Sequence, residues 1–265
     1  AGGRRVGRGY LFASVLSGSS VVTPHSPEER GPGVRAPKEA PVNGRSPRGI
    51  RLALANCTDP AREAEFNRWY NQVHLSDMTA SGLVTNPSRY ERVGGEPPEA
   101  RYLAIYEVER NDLDAVAREV PLLVQHLARA ERIHPALEVV GTTMWRAIGG
   151  PFRTARTGRA GCAGVWLIQS RCSAPEREEE FNAWYSDLHI PDILGTGLFH
   201  TAYRFEAASP RPEQGKYLAI YETDQDPARA VDAFVREHRP RLREAGRLSP
   251  LIEVTWRGLF RRLYP

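Results

Sequence analysis

The chain contains two copies of one helix-like segment, and this repeat constrains its fold more than any other feature. EFNRWYNQVHLSD at residues 65–77 returns 115 residues later as EFNAWYSDLHIPD at residues 180–192. Residues 50–148 align with residues 165–263 without a gap. Self-similarity at a fixed spacing is the signature of repeated structural units, so we predict two related units of about 100 residues each within one chain.

Within each unit the pattern predicts the order strand, helix, strand, strand, helix, strand. The first strands are apolar runs at residues 50–55 and 165–170, each followed by a proline suited to a first helical turn. The first helix is predicted to end near His74 in one unit and near His189 in the other. The second helices are predicted at residues 113–130 and 228–245.

The run YLAIYE, at residues 102–107 and 217–222, is largely apolar on both faces of a strand. Tyr102, Ala104 and Tyr106 point one way and the intervening residues point the other, so both faces must be covered. Helices cover only one face of a four-stranded sheet. The second face therefore needs another sheet, which the duplicate unit can supply.

These features resemble a known superfamily. The order βαββαβ, with F-N-x-W-Y-x-x-x-H-x-x-D in the first helix and Y-L-A-I-Y-E in the third strand, resembles the dimeric α/β-barrel superfamily and most of all its EthD-like branch. The resemblance covers both units. It implies an α+β fold in which two ferredoxin-like βαββαβ units are fused as an intrachain dimeric α/β barrel, a monomeric pseudo-dimer or a homodimer of such chains.

The predicted organisation has four parts. Residues 1–48 are rich in Gly, Pro, Ser and Arg and are predicted to be a disordered tail. The start of the tail also suits a signal or transit peptide, although its apolar stretch is short and broken, and an extended leader is the favoured interpretation. The first unit covers 49–148, a linker covers 149–164, and the second unit covers 165–265.

Charge and cysteine content exclude several classes of protein. Residues 1–50 carry a net charge of +5 and residues 51–265 a net charge of −1, so the folded part offers no basic surface for nucleic acid. No run approaches the roughly 18 apolar residues of a membrane helix, so no membrane span is expected. Cys57 and Cys172 end equivalent strands rather than forming a disulfide framework, which favours a cytoplasmic location.

Four polar residues spaced 3, 4 and 3 positions apart line one face of the repeated helix. A histidine there can shuttle a proton, and an aspartate one turn later can accept the ring N–H and orient the imidazole. A tyrosine can donate to a developing enolate or phenolate oxygen. The predicted catalytic residues are His74, His189, Asp77, Asp192, Tyr70 and Tyr185.

Other side chains are predicted to bind the substrate. Arg89 and Arg204, on the next strand, can hold an anionic group. Pro87 predicts a bulge in that strand of the first unit, whereas His200 gives the second unit an extra titratable group and favours the second pocket if only one is active. The predicted substrate-binding residues are Arg89, Arg204, His200, Asn67, Asn182, Tyr106, Tyr221, Trp69 and Trp184.

Structural alternatives stand beside these roles. The histidine and aspartate can simply close a helix C-terminus, or contact a ligand without chemistry. The arginines can pair with Glu107 and Glu222. The tyrosines at 102, 106, 217 and 221 can be core residues.

The resemblance implies a small-molecule enzyme. The superfamily includes cofactor-free polyketide cyclases, decarboxylases and dehydratases, as well as haem-degrading enzymes and oxygenases. We expect histidine acid/base catalysis on a small hydrophobic, aromatic or polyketide-like enolic substrate, without cofactor or metal, because a helical HxxD pair supplies too few metal ligands. The alternatives are a noncatalytic small-molecule-binding barrel and a haem-binding or monooxygenase member.

Overall fold

Residues 44–94, 100–211 and 214–264 are described by the computed structural model. Most of the predicted tail, residues 1–43, lies outside this range. Residues 44–48 contact the folded part of the chain: the Gly44 N–H donates to the Tyr203 hydroxyl at 2.7 Å, and Arg45 Nη2 donates to the Glu107 carboxylate at 2.8 Å.

The described residues contain nine strands in one antiparallel sheet. They are β1 (Gly49–Cys57), β2 (Thr85–Arg92), β3 (Tyr102–Val108), β4 (Leu137–Ala147), β5 (Phe152–Arg153), β6 (Gly164–Cys172), β7 (Thr201–Ala207), β8 (Tyr217–Thr223) and β9 (Ile252–Tyr264). The order is β4-β1-β3-β2-β9-β6-β8-β7-β5, and β4 also pairs with β7. Eight strands therefore close into a ring, to which the short β5, inside the predicted linker, is added at β7.

The interior of this ring is a continuous apolar core. Ile50 and Ile105 from the first half meet Leu167 and Ile220 from the second half in one buried cluster. Every residue of β3 and β8 is buried, as predicted for strands covered on both faces. One face of each strand is covered by helices and the other face lies inside the ring, which explains why both faces carry apolar residues.

The helices pack on the outside of the ring, each group over the strands of its own half. They are α1 (Glu63–Trp69), α2 (Leu75–Thr79), α3 (Leu113–Arg129), α4 (Glu178–Trp184), α5 (Ile190–Gly195), α6 (Pro227–Ala233) and α7 (Arg239–Glu244). Two further buried clusters fill the space between helices and sheet, one in each half. Among the described residues, every helix is too short or too polar to traverse a lipid bilayer.

The repeated helix does not end at the histidine. A π-helical turn covers Tyr70–His74 and joins α1 to α2, and the same turn at Tyr185–His189 joins α4 to α5. Its wider spacing is visible where the Leu75 N–H donates to the Tyr70 carbonyl, five residues back. Such turns occur frequently at functional sites. The expected helix end near His74 and His189 is therefore wrong, and both histidines lie within continuous helix.

Three smaller expectations about the strands are confirmed. The pairing of β2 with β3 shifts register between Thr85 and Ser88, which is the bulge predicted from Pro87. Cys57 and Cys172 are the last residues of β1 and β6. All three cysteines are free.

Candidate functional site

Each half of the molecule gathers the same set of side chains between its helices and the outer face of the sheet. The first helix of each half supplies an asparagine, a tryptophan, a tyrosine and a histidine, while two strands supply an arginine and a second tyrosine. We call these sets the first-half site and the second-half site. The first-half site is Asn67, Trp69, Tyr70, His74, Arg89 and Tyr106, and the second-half site is Asn182, Trp184, Tyr185, His189, Arg204 and Tyr221.

The imidazole of His74 is enclosed by aromatic rings. Its centroid lies 4.9 Å from that of Trp69 and 4.7 Å from that of Tyr70, and the residue is 6% exposed. Its Nδ1 atom is buried without a hydrogen-bond partner. Burial lowers the pKa of His74 to about 4, with Arg51 acting in the same direction and Asp77 opposing it. The ring is therefore neutral at physiological pH.

His189 repeats this environment in the second half. Its ring stacks on Trp184 at 4.6 Å and meets Tyr185 edge-on at 5.1 Å, and its Nδ1 is also buried and unpartnered. Burial lowers the pKa of His189 to about 4 against the opposing effect of Asp192. Both histidines thus face the protein interior, not bulk solvent.

The aspartates do not orient the histidines. Arg132 donates from Nη2 to Asp77 Oδ1 at 2.7 Å and from Nε to Asp77 Oδ2 at 2.9 Å, and Arg247 holds Asp192 in the same bidentate way. The predicted aspartate–imidazole hydrogen bond is absent, because a planar guanidinium satisfies both oxygens of each carboxylate. These aspartates instead fasten the helix to the segment that precedes the last strand of their half.

The arginines of the two sites lie among tyrosines and helix side chains. Arg89 donates to Asn67 Oδ1 at 2.9 Å and to Asn71 Oδ1 at 2.8 Å, and its Cζ lies 4.1 Å from the Tyr70 ring centroid. Arg204 is placed likewise, 4.6 Å from the Tyr185 ring. The alternative pairing with Glu107 and Glu222 is wrong, since alternation along β3 and β8 turns those carboxylates to the inside of the ring.

Tyr106 and Tyr221 complete the sites from the sheet side. Both are fully buried, and both hydroxyls lack a hydrogen-bond partner in the described part of the chain. Burial raises the pKa of each phenol well above 10. Both tyrosines therefore stay protonated and able to donate a hydrogen bond.

The asparagines and tryptophans hold the sites together. Asn67 Nδ2 donates to the Tyr102 hydroxyl at 3.2 Å, and Asn182 Nδ2 donates to the Tyr217 hydroxyl at 3.0 Å. Trp69 Nε1 donates to the Arg132 carbonyl at 3.0 Å, and Trp184 Nε1 to the Arg247 carbonyl at 2.9 Å. Each indole is thereby fixed against the imidazole that it covers.

His200 lies apart from the second-half site. Its Nδ1 is 2.8 Å from Thr201 Oγ1, and the charged groups that act on its pKa are Asp224 and Arg156, not Arg204. Burial lowers the pKa of His200 more than these charges alter it. The contacts of His200 are with Thr201 and with charges outside the second-half site, so the structure does not bring it together with Arg204.

Arg51 is a site residue that the sequence reasoning missed. It lies on β1 with its guanidinium carbon 5.7 Å from the Tyr106 ring centroid, and its charge helps to lower the pKa of His74. The sequence does indicate this position when the two halves are aligned, because the residue equivalent to Arg51, 115 positions later, is Trp166, so the two halves differ in charge there.

Comparisons with known proteins support the architecture. A family model described as a domain of unknown function, DUF4286, matches residues 170–248. No curated protein matches the chain. An anthrone oxidase-like protein is similar in structure at 11% identity, covering 82% of this chain and 92% of that chain with a TM-score of 0.51.

Two haem-peroxidase folds are also similar. A variant of DypB from Rhodococcus jostii RHA1 in complex with heme has 10% identity, covers 83% of this chain and 94% of that chain, and has a TM-score of 0.53. A dye-decolorizing peroxidase from Bacteroides thetaiotaomicron has 10% identity, 85% and 95% coverage and a TM-score of 0.50. The chain therefore shares the mixed α+β fold of these proteins, with a large antiparallel sheet covered by helices.

These similarities correct the expectation of cofactor-free chemistry, because proteins of the same fold include DyP-type peroxidases, one of them in complex with heme. A metal-ligating histidine almost always donates its second ring nitrogen to an acceptor, whereas Nδ1 of His74 and of His189 has none. The surroundings of these two histidines therefore do not fit those of a haem ligand.

Proposed function

We propose that the chain is a small-molecule enzyme that abstracts a proton from an aromatic or enolisable substrate, of the cyclase, dehydratase or decarboxylase type. Proteins of the same fold include an anthrone oxidase-like protein and dye-decolorizing peroxidases, which makes a small-molecule enzyme plausible. The observation that carries the proposal is the buried, unpartnered Nδ1 of a neutral histidine beside protonated phenols.

The proposal includes a tandem duplication of an EthD-like unit. Residues 49–148 and 165–265 would be the two units and 149–164 their linker. Support comes from contacts that recur 115 residues apart, such as the bidentate Arg132–Asp77 and Arg247–Asp192 pairs. A chain of this kind is a pseudo-dimer, with one site in each half.

The histidine of each site acts as the general base. A pKa of about 4 leaves His74 and His189 unprotonated at pH 7, so each ring has a nitrogen lone pair that can accept a proton. The burial that keeps the rings neutral also disfavours the imidazolium, so the enolate or phenolate formed beside it must supply the opposite charge that stabilises it. The substrate C–H or O–H bond breaks, its proton moves to the imidazole, and the electron pair remains on the substrate as an enolate or phenolate. General base catalysis of this kind typically contributes about 10²- to 10⁴-fold in rate.

The tyrosines stabilise the negative charge that develops. The hydroxyls of Tyr106 and Tyr221 make no hydrogen bond of normal length in the described structure, although Tyr70 and Tyr185 lie near enough to favour their protonated forms. A substrate oxygen can accept a hydrogen bond from each of them. One preorganised donor in a dry site is worth about 3 kcal/mol in the transition state. Arg89 and Arg204, packed on the faces of Tyr70 and Tyr185, add positive potential to the same region.

Exchange of carbon-bound hydrogen provides a direct test that needs no knowledge of the natural substrate. We would incubate the protein with 2-tetralone, an aromatic ketone with acidic C–H bonds, in D2O, and follow loss of the proton signal by NMR. The wild-type protein is expected to accelerate exchange above the buffer rate. The double variant His74→Gln/His189→Gln is expected to lose about 10²-fold of that acceleration.

The matched control is His126→Gln, a change at an exposed histidine on α3. It should exchange at the wild-type rate. If the folded double variant exchanged as fast as wild type, the general-base role would be wrong. The function would then be the alternative of a barrel that binds a small molecule without chemistry.

A further inference from the structure

Among the described residues, Arg51 has no partner for its charge. Its side chain makes no hydrogen bond or ion pair with any of them, and its guanidinium carbon lies over the Tyr106 ring, 5.7 Å from the centroid. It is half-buried and lies on the helix side of β1. A guanidinium is costly to desolvate without an anion, so an unpaired one at the rim of an aromatic site indicates that the anion comes from a ligand.

The second half fills the equivalent place with aromatic rings. Trp166 stacks on Phe199 at 5.8 Å and lies 5.6 Å from both Tyr221 and Phe234. Tyr221 therefore meets an indole where Tyr106 meets a guanidinium. The second-half site is apolar at this position, and the first-half site is cationic.

The nearby acids do not neutralise the first-half site. Asp77, the acid closest along the helix, is held by Arg132, and Glu91 on β2, whose charge acts on Arg89, is held by Arg101. Arg89 contributes a second cation whose hydrogen bonds go to asparagine oxygens rather than to a carboxylate. Two guanidinium groups thus face a neutral imidazole and a protonated phenol, which is a set of donors suited to a bound anion.

We propose that the first-half site binds an aromatic monoanion, such as an aromatic carboxylate, through Arg51, and that the second-half site does not. The aromatic part of the ligand would pack against Tyr106 and the rings beside His74, and its anionic group would meet the guanidinium. This inference rests on the proposed function for the location of the site. It reverses the expectation that the second pocket is the better one, since His200 is not part of that pocket.

Salicylate and salicylamide form a suitable pair of probes, because they share a shape and differ in charge. We would measure their binding by titration calorimetry at low salt. Wild type is expected to bind one salicylate per chain and to bind salicylamide at least about ten-fold more weakly. Arg51→Gln is expected to weaken salicylate binding about ten- to hundred-fold, as loss of a charge-assisted hydrogen bond does, and to leave salicylamide unchanged.

The control variant is Arg241→Gln, which removes the same charge from an exposed position on α7 in the other half. It should bind salicylate as wild type does. A second measurement needs no variant: in NMR spectra of the wild-type protein, salicylate should shift the ring resonances of His74 and leave those of His189 in place.

Three results would overturn the inference: two equivalents of salicylate per chain, an unchanged affinity in folded Arg51→Gln, or no shift at His74. None of them bears on proton transfer, which the exchange assay with 2-tetralone measures separately. Conversely, salicylate binding could depend on Arg51 while the histidine double variant keeps full exchange activity. That result would support the anion site and show that the histidines are not the general bases.

Discussion

His74, which is buried, and His189, which is mostly buried, should make the protein sensitive to acid, and the effect can be isolated by replacing both. In the folded state burial holds the pKa of His74 and of His189 near 4, against 6.5 for a free histidine. The unfolded chain therefore binds more protons than the folded chain between these pH values. Folding stability from this source is fully present above pH 6.5 and is lost as the pH falls towards 4.

The size of the effect follows from the two pKa values. The difference between 6.5 and about 4 corresponds to about 3 kcal/mol for each histidine, or about 6 kcal/mol for the pair. Domains of ordinary stability unfold at a cost of about 5–15 kcal/mol, so this loss is large. Each pKa already includes the effect of nearby charges. These charges are Arg51, Arg89 and Asp77 for His74, and Arg204 and Asp192 for His189.

Urea unfolding at fixed ionic strength, followed by tryptophan fluorescence and circular dichroism, measures this quantity. The unfolding free energy of wild type minus that of His74→Gln/His189→Gln should fall by about 6 kcal/mol between pH 7.5 and pH 4. His126→Gln, which removes an exposed histidine from α3, is the control for loss of a histidine as such. If the difference in unfolding free energy between wild type and the double variant changed by less than about 1 kcal/mol across this pH range, the claim that both rings are buried and neutral would be wrong.

Three further outcomes are expected. Burial raises the pKa of Glu222 to about 8, so its contribution to stability is present below pH 4.5 and is lost as the pH rises through 8. At pH 9 the unfolding free energy of Glu222→Gln should exceed that of wild type by on the order of 4 kcal/mol. At pH 4 the two proteins should differ little. Asp77→Asn should lower the unfolding free energy by about 1 kcal/mol or less in the same assay, because its partner Arg132 is half exposed. The variant should exchange 2-tetralone protons within about three-fold of the wild-type rate. A much slower exchange would show that Asp77 does orient His74. Tyr106→Phe should slow exchange about 10²-fold in the first-half site, measured in a His189→Gln background, with little change in stability.

Much of the architecture was accessible from the sequence because it depends on periodicity. YLAIYE predicted a strand buried on both faces, and β3 and β8 are buried along their whole length. Pro87 predicted a bulge because it lacks a ladder donor, and the register of β2 shifts there. The repeated helix placed Tyr70 and His74 beside each other, and their rings do meet.

The sequence was less informative where a side chain had a choice of partners. Asp77 lies one turn after His74, yet its carboxylate is taken by Arg132, which is distant along the chain and offers two parallel N–H donors. Helical spacing cannot reveal such a competitor. The π-helical turn was equally hidden, because the residues that form it, Tyr70–His74, are compatible with an ordinary α-helix.

Under the proposed function, the residues that the two halves share would transfer the proton, and the residue that differs between them would select the ligand. The histidine, its stacking tryptophan and the tyrosine on the sheet are the same in both sites, and burial gives the two imidazoles the same lowered pKa of about 4. The β1 position beside that tyrosine differs, with Arg51 in one half and Trp166 in the other. These two residues contact the phenol from the sheet side, so the change from cation to indole alters the charge that a ligand would meet there. Arg51 also helps to lower the pKa of His74, but burial is the largest cause of the lowered pKa in both halves. One chain can thereby keep a single proton-accepting geometry in two sites that favour ligands of different charge.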